Sequence, residues 1–213
     1  MSVVRVALAG LSLLLAAACS GGATLTTPSS TPTATAAATA SSAPAATAGT
    51  QAALACTSPA TPLVNLTEGP YYKAGAPQRS SLMTAGVAGT PLVLTGYVVS
   101  RSCQSIANAK LDFWQADGNG NYDNSGYTLR GWLLTDARGA YRLETVIPGL
   151  YPGRTEHIHF KVTVSGQTWT SQLFFPGISQ NESDSIYSAQ MLIKLDKTTN
   201  PTSGTFTFVV NIP

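Results

Sequence analysis

The sequence has few charged residues and almost no histidine. Of its 213 residues, 12 are Lys or Arg, 10 are Asp or Glu and two are His, which gives a net charge of +2. A charged fraction of 10% is low beside the roughly 25% that is usual in globular proteins. There is no basic run, so the electrostatic footprint of a nucleic-acid-binding protein is missing. Beyond the N-terminal leader no run approaches the roughly 20 apolar residues of a membrane span, which excludes a polytopic membrane fold.

The charged residues are missing from one continuous part of the chain. After Arg5 the next charged residue is Glu68, so residues 6–67 carry none. All the other charges lie within residues 68–213. Only this second part has the composition of a folded domain.

Residues 1–18 have the composition of a secretory signal, with one cation at Arg5 followed by an apolar run and small residues. The run ends in Leu15-Ala16-Ala17-Ala18-Cys19, which resembles a bacterial lipobox with Cys19 as the lipidated residue. An ordinary cleaved signal with a chance cysteine is the alternative. The absence of a twin-Arg pair favours the general secretory route. We therefore expect an exported protein, either anchored to the membrane at the cell surface through Cys19 or secreted.

Residues 19–55 are predicted to form a disordered tether. They consist almost wholly of Ala, Thr, Ser, Pro and Gly, and such a tract cannot bury enough apolar surface to offset its conformational entropy. Two cysteines follow, Cys56 and Cys103. In an exported chain a disulfide between them is the default expectation, with two free thiols as the alternative.

Residues 56–213 have the size of one domain and the pattern of a β-protein. Short runs that alternate apolar and polar residues, bounded by turn residues, predict strands. These runs are residues 91–100, 110–116, 139–146, 157–165, 168–175 and 204–212. The one helix predicted is short, around Ser183–Met191. No repeat period is present, so we predict an all-β sandwich of mainly antiparallel strands with this single helix.

The two histidines lie two residues apart in the predicted strand 157–165. Residues i and i+2 of a strand project from the same face, so His157 and His159 share one face while Ile158 and Phe160 take the other. Such a pair is suited to one wall of a metal site. Because their Cα atoms should be about 6.6 Å apart, two ligands to one metal require a converging strand or a bulge. Two chance surface histidines are the alternative.

Four segments carry a family resemblance: TEGPYY at residues 67–72, WQADGNGNY at 114–122, PGLYPGRTEHIH at 148–159 and TSQLFFPG at 170–177. In content, order and spacing they resemble the intradiol ring-cleavage dioxygenases, which include catechol 1,2-dioxygenases and protocatechuate 3,4-dioxygenases. Intracellular catechol 1,2-dioxygenases carry an N-terminal helical dimerisation segment where this chain has signal and linker. The layout therefore resembles the exported, single-domain branch, and the oligomeric state is left open.

The resemblance implies one non-haem Fe(III) per chain, held by Tyr122, Tyr151, His157 and His159. Phenolate oxygens suit this metal, because a trivalent cation strongly favours deprotonated tyrosine. Taken singly, either tyrosine could be an ordinary hydrogen-bonded side chain of a β-sandwich.

The resemblance also implies roles in catalysis. Tyr151 is expected to leave the metal when substrate binds, and Arg154 to stabilise negative charge that develops on the substrate. Gln172 is expected near the substrate, and Pro70 and Tyr71 in the wall of its pocket. The alternatives are a surface ion pair for Arg154 and a plain strand hydrogen bond for Gln172.

The implied reaction uses a small catechol and O2. The ring is cleaved between the two hydroxyl-bearing carbons to give a muconate-type diacid. A different class of function is a surface-tethered β-sandwich that binds a glycan or a protein and keeps a vestigial dioxygenase site. The presence of all four expected ligands favours the enzyme, while the identity of the catechol stays open.

The segment Asp117–Asp123 resembles the start of a calcium loop. It has Tyr122 where such a loop has its sixth-position Gly, and Thr128 where the loop has its twelfth-position Glu. We interpret it instead as an Asx-rich turn that presents Tyr122.

Overall fold

A computed structural model of the chain describes residues 54–213. The predicted signal, Cys19 and nearly all of the predicted tether lie outside these residues. The described chain forms eight strands: β1 (Pro91–Val99), β2 (Lys110–Trp114), β3 (Arg130–Leu134), β4 (Ala140–Val146), β5 (His157–Val164), β6 (Gln167–Phe174), β7 (Lys194–Asp196) and β8 (Thr202–Val209). Within this part of the chain no helix is long and apolar enough to cross a membrane.

The strands form two four-stranded sheets. One has the order β4-β1-β8-β7 and the other β3-β2-β5-β6. The pairing of β1 with β8 is parallel, and the other strand pairs are antiparallel. The prediction of an all-β, mainly antiparallel sandwich is confirmed. All six predicted strands are present, with ends shifted by three residues or fewer, whereas β3 and β7 were not predicted.

The predicted helix Ser183–Met191 is wrong. This region contains two short 3-10 turns, Ser179–Glu182 and Ala189–Met191, with irregular chain between them. The reason lies in Asp184, whose carboxylate accepts a hydrogen bond from the backbone N–H of Ile186 at 2.9 Å. Local bonds of this kind compete with the backbone ladder of a helix.

Alternate residues of β5 determine where the core and the site lie. Ile158, Phe160 and Val162 are fully buried between the sheets, and the Phe160 ring contacts Phe208 of the other sheet at 4.7 Å between centroids. The intervening residues, including both histidines, project to the outer face of the β3-β2-β5-β6 sheet. There they can be covered only by loops.

The predicted disulfide is present. Cys56 and Cys103 are bonded, with their Cα atoms 5.8 Å apart and a sequence separation of 47. The bond attaches the beginning of the described chain to the turn that follows β1. Closing a loop of this length stabilises a fold by about 4 kcal/mol in the chain-entropy treatment.

Candidate metal centre

The strand register brings the site residues together on the outer face of one sheet. His159 of β5 pairs with Trp114 of β2 on one side and with Gln172 of β6 on the other. His157 pairs with Phe174. Directly paired residues share a face, so His159 of β5 and Gln172 of β6 lie beside one another. Trp114 comes from the same motif as Tyr122, but the sequence did not indicate that its ring would stack on His159.

The two imidazoles converge on one point. His157 and His159 are 2% and 0% exposed, and their Nε2 atoms are 3.0 Å apart. Two nitrogens bound about 2.1 Å from one metal at a right angle are also about 3.0 Å apart. β5 pairs with β6 without interruption through both histidines, so of the two possibilities, a converging strand or a bulge, no bulge is used. The alternative of two surface histidines is wrong.

Each imidazole is held in the orientation of a ligand. The Nδ1–H of His157 donates to the carbonyl of Thr155 at 2.6 Å, which leaves Nε2 free to bind a metal. The ring of His159 stacks on Trp114, with centroids 4.9 Å apart and planes 7° apart. Burial lowers the pKa of His157 to about 4 and that of His159 well below its ordinary value. Both rings are therefore neutral at neutral pH, which is the form that binds metals.

Tyr122 is presented by two successive Asx turns. The Oδ1 atom of Asp117 accepts the backbone N–H groups of Asn119 and Asn121, both at 2.9 Å. The carboxylate of Asp123 accepts the N–H of Thr128 at 2.9 Å, together with other amides of the same loop. These contacts agree with the interpretation of an Asx-rich turn. They also use the carboxylate oxygens that a calcium ion would need.

Tyr122 and Tyr151 face the histidines. The Tyr151 centroid is 5.5 Å from that of His157, the Tyr122 centroid is 6.3 Å from that of His159, and the two phenol rings are 5.7 Å apart. Burial raises the pKa of both tyrosines. The neighbouring arginines lower these pKa values only in part, so deprotonation of the two phenols at neutral pH requires a bound metal ion.

The hydroxyl of Tyr122 is buried without a hydrogen-bond partner among residues 54–213. A buried polar atom without a partner costs about 1–3 kcal/mol, so it indicates a site that is completed by another group. Nδ1 of His159 is in the same condition. Two neutral imidazoles and two phenols are the donor set that suits a hard trivalent cation, and the residues present fit Fe(III).

Arg154 joins the site residues to one another. Its Nη1 donates to the Tyr151 hydroxyl at 3.2 Å, its Nη2 donates to Oε1 of Gln172, and its Nε donates to Oδ2 of Asp184 at 2.9 Å. The Arg154 side chain is 13% exposed and that of Asp184 is 2% exposed, so the alternative of a surface ion pair is wrong. Gln172 also donates to the carbonyl of Thr67 at 3.0 Å. Its side chain therefore does more than form a hydrogen bond within the strand, which was the alternative.

Asp184 is a site residue that the sequence did not reveal. It lies 30 residues beyond Arg154 and in no recognised motif. Besides Arg154, its carboxylate accepts the backbone N–H of Thr155 at 2.9 Å. Since the carbonyl of Thr155 holds His157, the Asp184 carboxylate supports both the Arg154 guanidinium and His157.

Residues 66–72, which we call the roof segment, cross the outer face of the sheet above the histidines. The backbone N–H of Leu66 donates to Thr170 of β6 at 2.9 Å, and Glu68 forms an ion pair with Lys161 of β5. The Tyr72 hydroxyl donates to Asp112 of β2 at 3.3 Å. The roof segment is thus attached to three neighbouring strands.

Gly69 is required where the roof segment passes over His159. It has φ of +72°, and a Cβ added there would lie 3.2 Å from Cε1 of His159. Both the backbone angle and the close approach favour glycine. The next residues differ in placement: Pro70 is exposed, whereas the ring of Tyr71 stacks on Tyr122 at 4.3 Å and meets Tyr151 edge-on at 6.0 Å.

Comparison with known proteins shows the family of this chain. The family model described as "Dioxygenase" matches residues 67–210, which is more than half of the chain and includes all four predicted ligands. The chain belongs to the intradiol ring-cleavage dioxygenase family. The solved intradiol ring-cleavage dioxygenase of Tetranychus urticae is 25% identical, with a TM-score of 0.64, covering 69% of this chain and 92% of that one.

Two other relatives of this intradiol family member come from bacteria. The dioxygenase domain of a dioxygenase–carbohydrate-binding fusion from Streptomyces sp. SirexAA-E is 41% identical, with a TM-score of 0.70. The alignment covers 72% of this chain and 100% of that domain. A chlorocatechol 1,2-dioxygenase from Pseudomonas putida is 30% identical over 141 residues, 52% of each chain. The chain spans about half the length of the curated relatives that it matches.

Proposed function

We propose that this member of the intradiol family is an exported, Fe(III)-dependent dioxygenase. It inserts O2 into a catechol-type diol and cleaves the ring between the two hydroxyl-bearing carbons to give a muconate-type diacid. The observation that carries the proposal is the convergence of two imidazoles and two phenols from separate loops and one strand. Within that group the histidine Nε2 atoms are 3.0 Å apart and the Tyr122 hydroxyl is buried without a partner.

Tyr122, Tyr151, His157 and His159 would hold the iron. Held there, Fe(III) would supply Lewis acidity that favours the deprotonated diol and makes its ring reactive toward O2. The buried imidazoles bind in their neutral form, since burial lowers the pKa of both.

Tyr151 would be better suited than Tyr122 as the ligand that substrate displaces. Its hydroxyl already accepts a hydrogen bond from Arg154 at 3.2 Å, so a released oxygen has a partner. The Tyr122 hydroxyl has none among the described residues, and its release would leave a buried polar atom unsatisfied. This difference supports the role that the resemblance implies for Tyr151.

Arg154 is suited to stabilise negative charge on the bound diol. Its guanidinium is held by Asp184, Gln172 and Tyr151, so it is fixed in place before reaction. Cations and dipoles that need no reorganisation are the most effective in stabilising a charged transition state. A cavity of about 460 Å³ adjoins Tyr151 and Arg154 and is bordered by Leu150 and Ser183 among others. Of the four proposed ligands, only Tyr151 borders this cavity.

The relatives support a catechol as the substrate class. Proteins similar to this chain are a chlorocatechol 1,2-dioxygenase, hydroxyquinol 1,2-dioxygenases and catechol 1,2-dioxygenases. All of these names share a ring with adjacent hydroxyl groups, which is the feature that two metal-bound oxygens would recognise.

The test combines colour, activity and one substitution. We expect the iron-loaded protein to show a broad visible band from tyrosinate-to-Fe(III) charge transfer and to consume O2 with catechol, forming the diacid. Removing iron with a chelator should abolish both. Tyr122→Phe should weaken or shift the band, whereas Tyr127→Phe, whose hydroxyl donates to Ala74 outside the site, should leave it unchanged. A colourless protein with stoichiometric iron would refute the ligand set.

We also propose export with a lipid anchor on Cys19, from the apolar leader and the lipobox-like sequence. The disulfide between Cys56 and Cys103 supports an oxidising compartment. Expressed at full length in a bacterium that processes lipoproteins, the protein should fractionate with membranes and Cys19→Ala should not. Mass spectrometry should find a diacylglyceryl group on Cys19, and an unmodified soluble protein would contradict the anchor.

A further inference from the structure

Arg130, at the start of β3, has a buried guanidinium that forms no ion pair within residues 54–213. It is 2% exposed. Its Nη1 donates to the carbonyl of Tyr71, and its Nε and Nη2 both donate to the carbonyl of Asp123, at 3.1 and 3.0 Å. A cation is costly to bury, and here backbone carbonyls are its direct partners.

These two carbonyls belong to the two segments whose aromatic rings meet at the site. Tyr71 lies in the roof segment, and Asp123 directly follows Tyr122. The rings of Tyr71 and Tyr122 stack with centroids 4.3 Å apart and planes 16° apart. One side chain therefore holds both backbones that carry this stacked pair. A guanidinium can do so because its donors lie in a rigid planar fork.

The same cation also faces the Tyr122 ring. The guanidinium carbon lies 5.9 Å from the ring centroid, within the range of a cation–π contact. In the proposed function the Tyr122 oxygen is an anion that binds iron. The fixed positive charge of Arg130 beside the ring attracts this anion. The buried charge and the paired carbonyls thus favour one orientation of Tyr122.

We propose that Arg130 is a positioning residue for the iron site, joining the Tyr71 and Tyr122 segments and setting the orientation of the Tyr122 ring. It does not touch the metal and acts through Tyr122. This inference rests on the proposed function.

Two substitutions and a matched control test it. Arg130→Met removes the charge and all three hydrogen bonds, while Arg130→Lys keeps the charge and loses the fork. The control is Arg79→Met, because Arg79 also donates to backbone carbonyls of this region, those of Tyr127 and Arg130, and has no ring contact with Tyr122. Loss of a residue that orients a metal ligand typically costs 10–100-fold in metal affinity or activity.

We expect Arg130→Met to weaken iron binding by 10–100-fold, measured by chelator competition, and to shift the charge-transfer band. Arg130→Lys should recover part of the affinity for iron. Its charge-transfer band should lie between those of Arg130→Met and the unsubstituted protein. Arg79→Met should lose stability in urea without a band shift. If Arg130→Met bound iron as tightly as the unsubstituted protein and had the same charge-transfer band, the inference would be overturned. If that variant does not fold, the same result in Arg130→Lys overturns it.

A metal-free measurement separates this inference from the proposed function. Hydrogen exchange followed by mass spectrometry reports local opening of each segment. In metal-free Arg130→Met, residues 68–73 and 121–126 should both exchange faster than in Arg79→Met. If the unsubstituted protein binds no iron, the proposed function fails, and this exchange result alone decides the role of Arg130. Equal exchange in the two variants would refute the positioning role.

Discussion

Replacing His159 with alanine should lower the affinity for iron by at least about 100-fold and abolish O2 uptake with catechol. The residue is fully buried, and its Nε2 lies 3.0 Å from that of His157, where both can reach one metal. Removing an outer residue that merely orients a ligand already costs about 10–100-fold. Loss of the ligand itself should therefore have a larger effect.

The measurement is iron content after equilibration with a competing chelator, together with the visible band. Thr163→Ala is the matched control. Thr163 lies on the same strand and the same face as His159, and its hydroxyl contacts Thr168 outside the site. We expect this variant to retain iron, colour and activity. If His159→Ala retained stoichiometric iron with the unsubstituted spectrum, His159 would not be a ligand.

Replacing Asp184 with alanine should destabilise the protein by about 3–5 kcal/mol, because it leaves Arg154 without its carboxylate in a buried ion pair. Only 2% of the Asp184 side chain and 13% of the Arg154 side chain are exposed. The same change removes the acceptor for the backbone N–H of Thr155. We therefore also expect kcat/KM for catechol to fall by about 10–100-fold, as for other residues that support a metal ligand.

Urea unfolding at pH 7 and O2-uptake kinetics check this prediction. Asp184→Asn is the informative second variant, because it keeps an oxygen acceptor of similar shape and removes the charge. It should lose less stability than Asp184→Ala and still lose turnover. Both variants should keep the charge-transfer band, since all four proposed ligands remain. Unchanged kcat/KM in both variants would show that the position of Arg154 does not depend on Asp184.

Much of the fold could be predicted because its strands alternate apolar and polar residues. β1 and β5 follow this pattern, and their inward residues form the core. β3 was missed because it begins with Arg130 and Gly131, which do not resemble a strand with a buried face. The helix over Ser183–Met191 was predicted wrongly, because the sequence does not reveal that the carboxylate of Asp184 accepts Thr155, Ile186 and Arg154.

The residues of the candidate site also divide into those that the sequence predicted and those that it did not. Tyr122, Tyr151, His157 and His159 could be selected from local motifs, because each motif lies within a dozen residues. Arg154 and Gln172 came from the same motifs, but Arg130, Asp184 and the contacts that hold these side chains did not, because the contacts join distant parts of the chain. Arg130 contacts Tyr71 across 59 residues, Gln172 contacts Thr67 across 105, and Arg154 contacts Asp184 across 30.

By itself the sequence determined the chemistry that is available to this protein. It supplies only two histidines, sets them two apart on one face of a strand, and confines all charged residues except Arg5 to residues 68–213. The tertiary structure alone decided that the imidazoles converge without a bulge, that Tyr122 is buried without a partner and that Arg154 is fixed by Asp184. The physical reason is that local spacing decides which face a side chain takes, whereas burial and orientation depend on the segments that cover that face. Here the covering residues are the roof segment and the Asp184 loop, which lie far from the histidines in sequence.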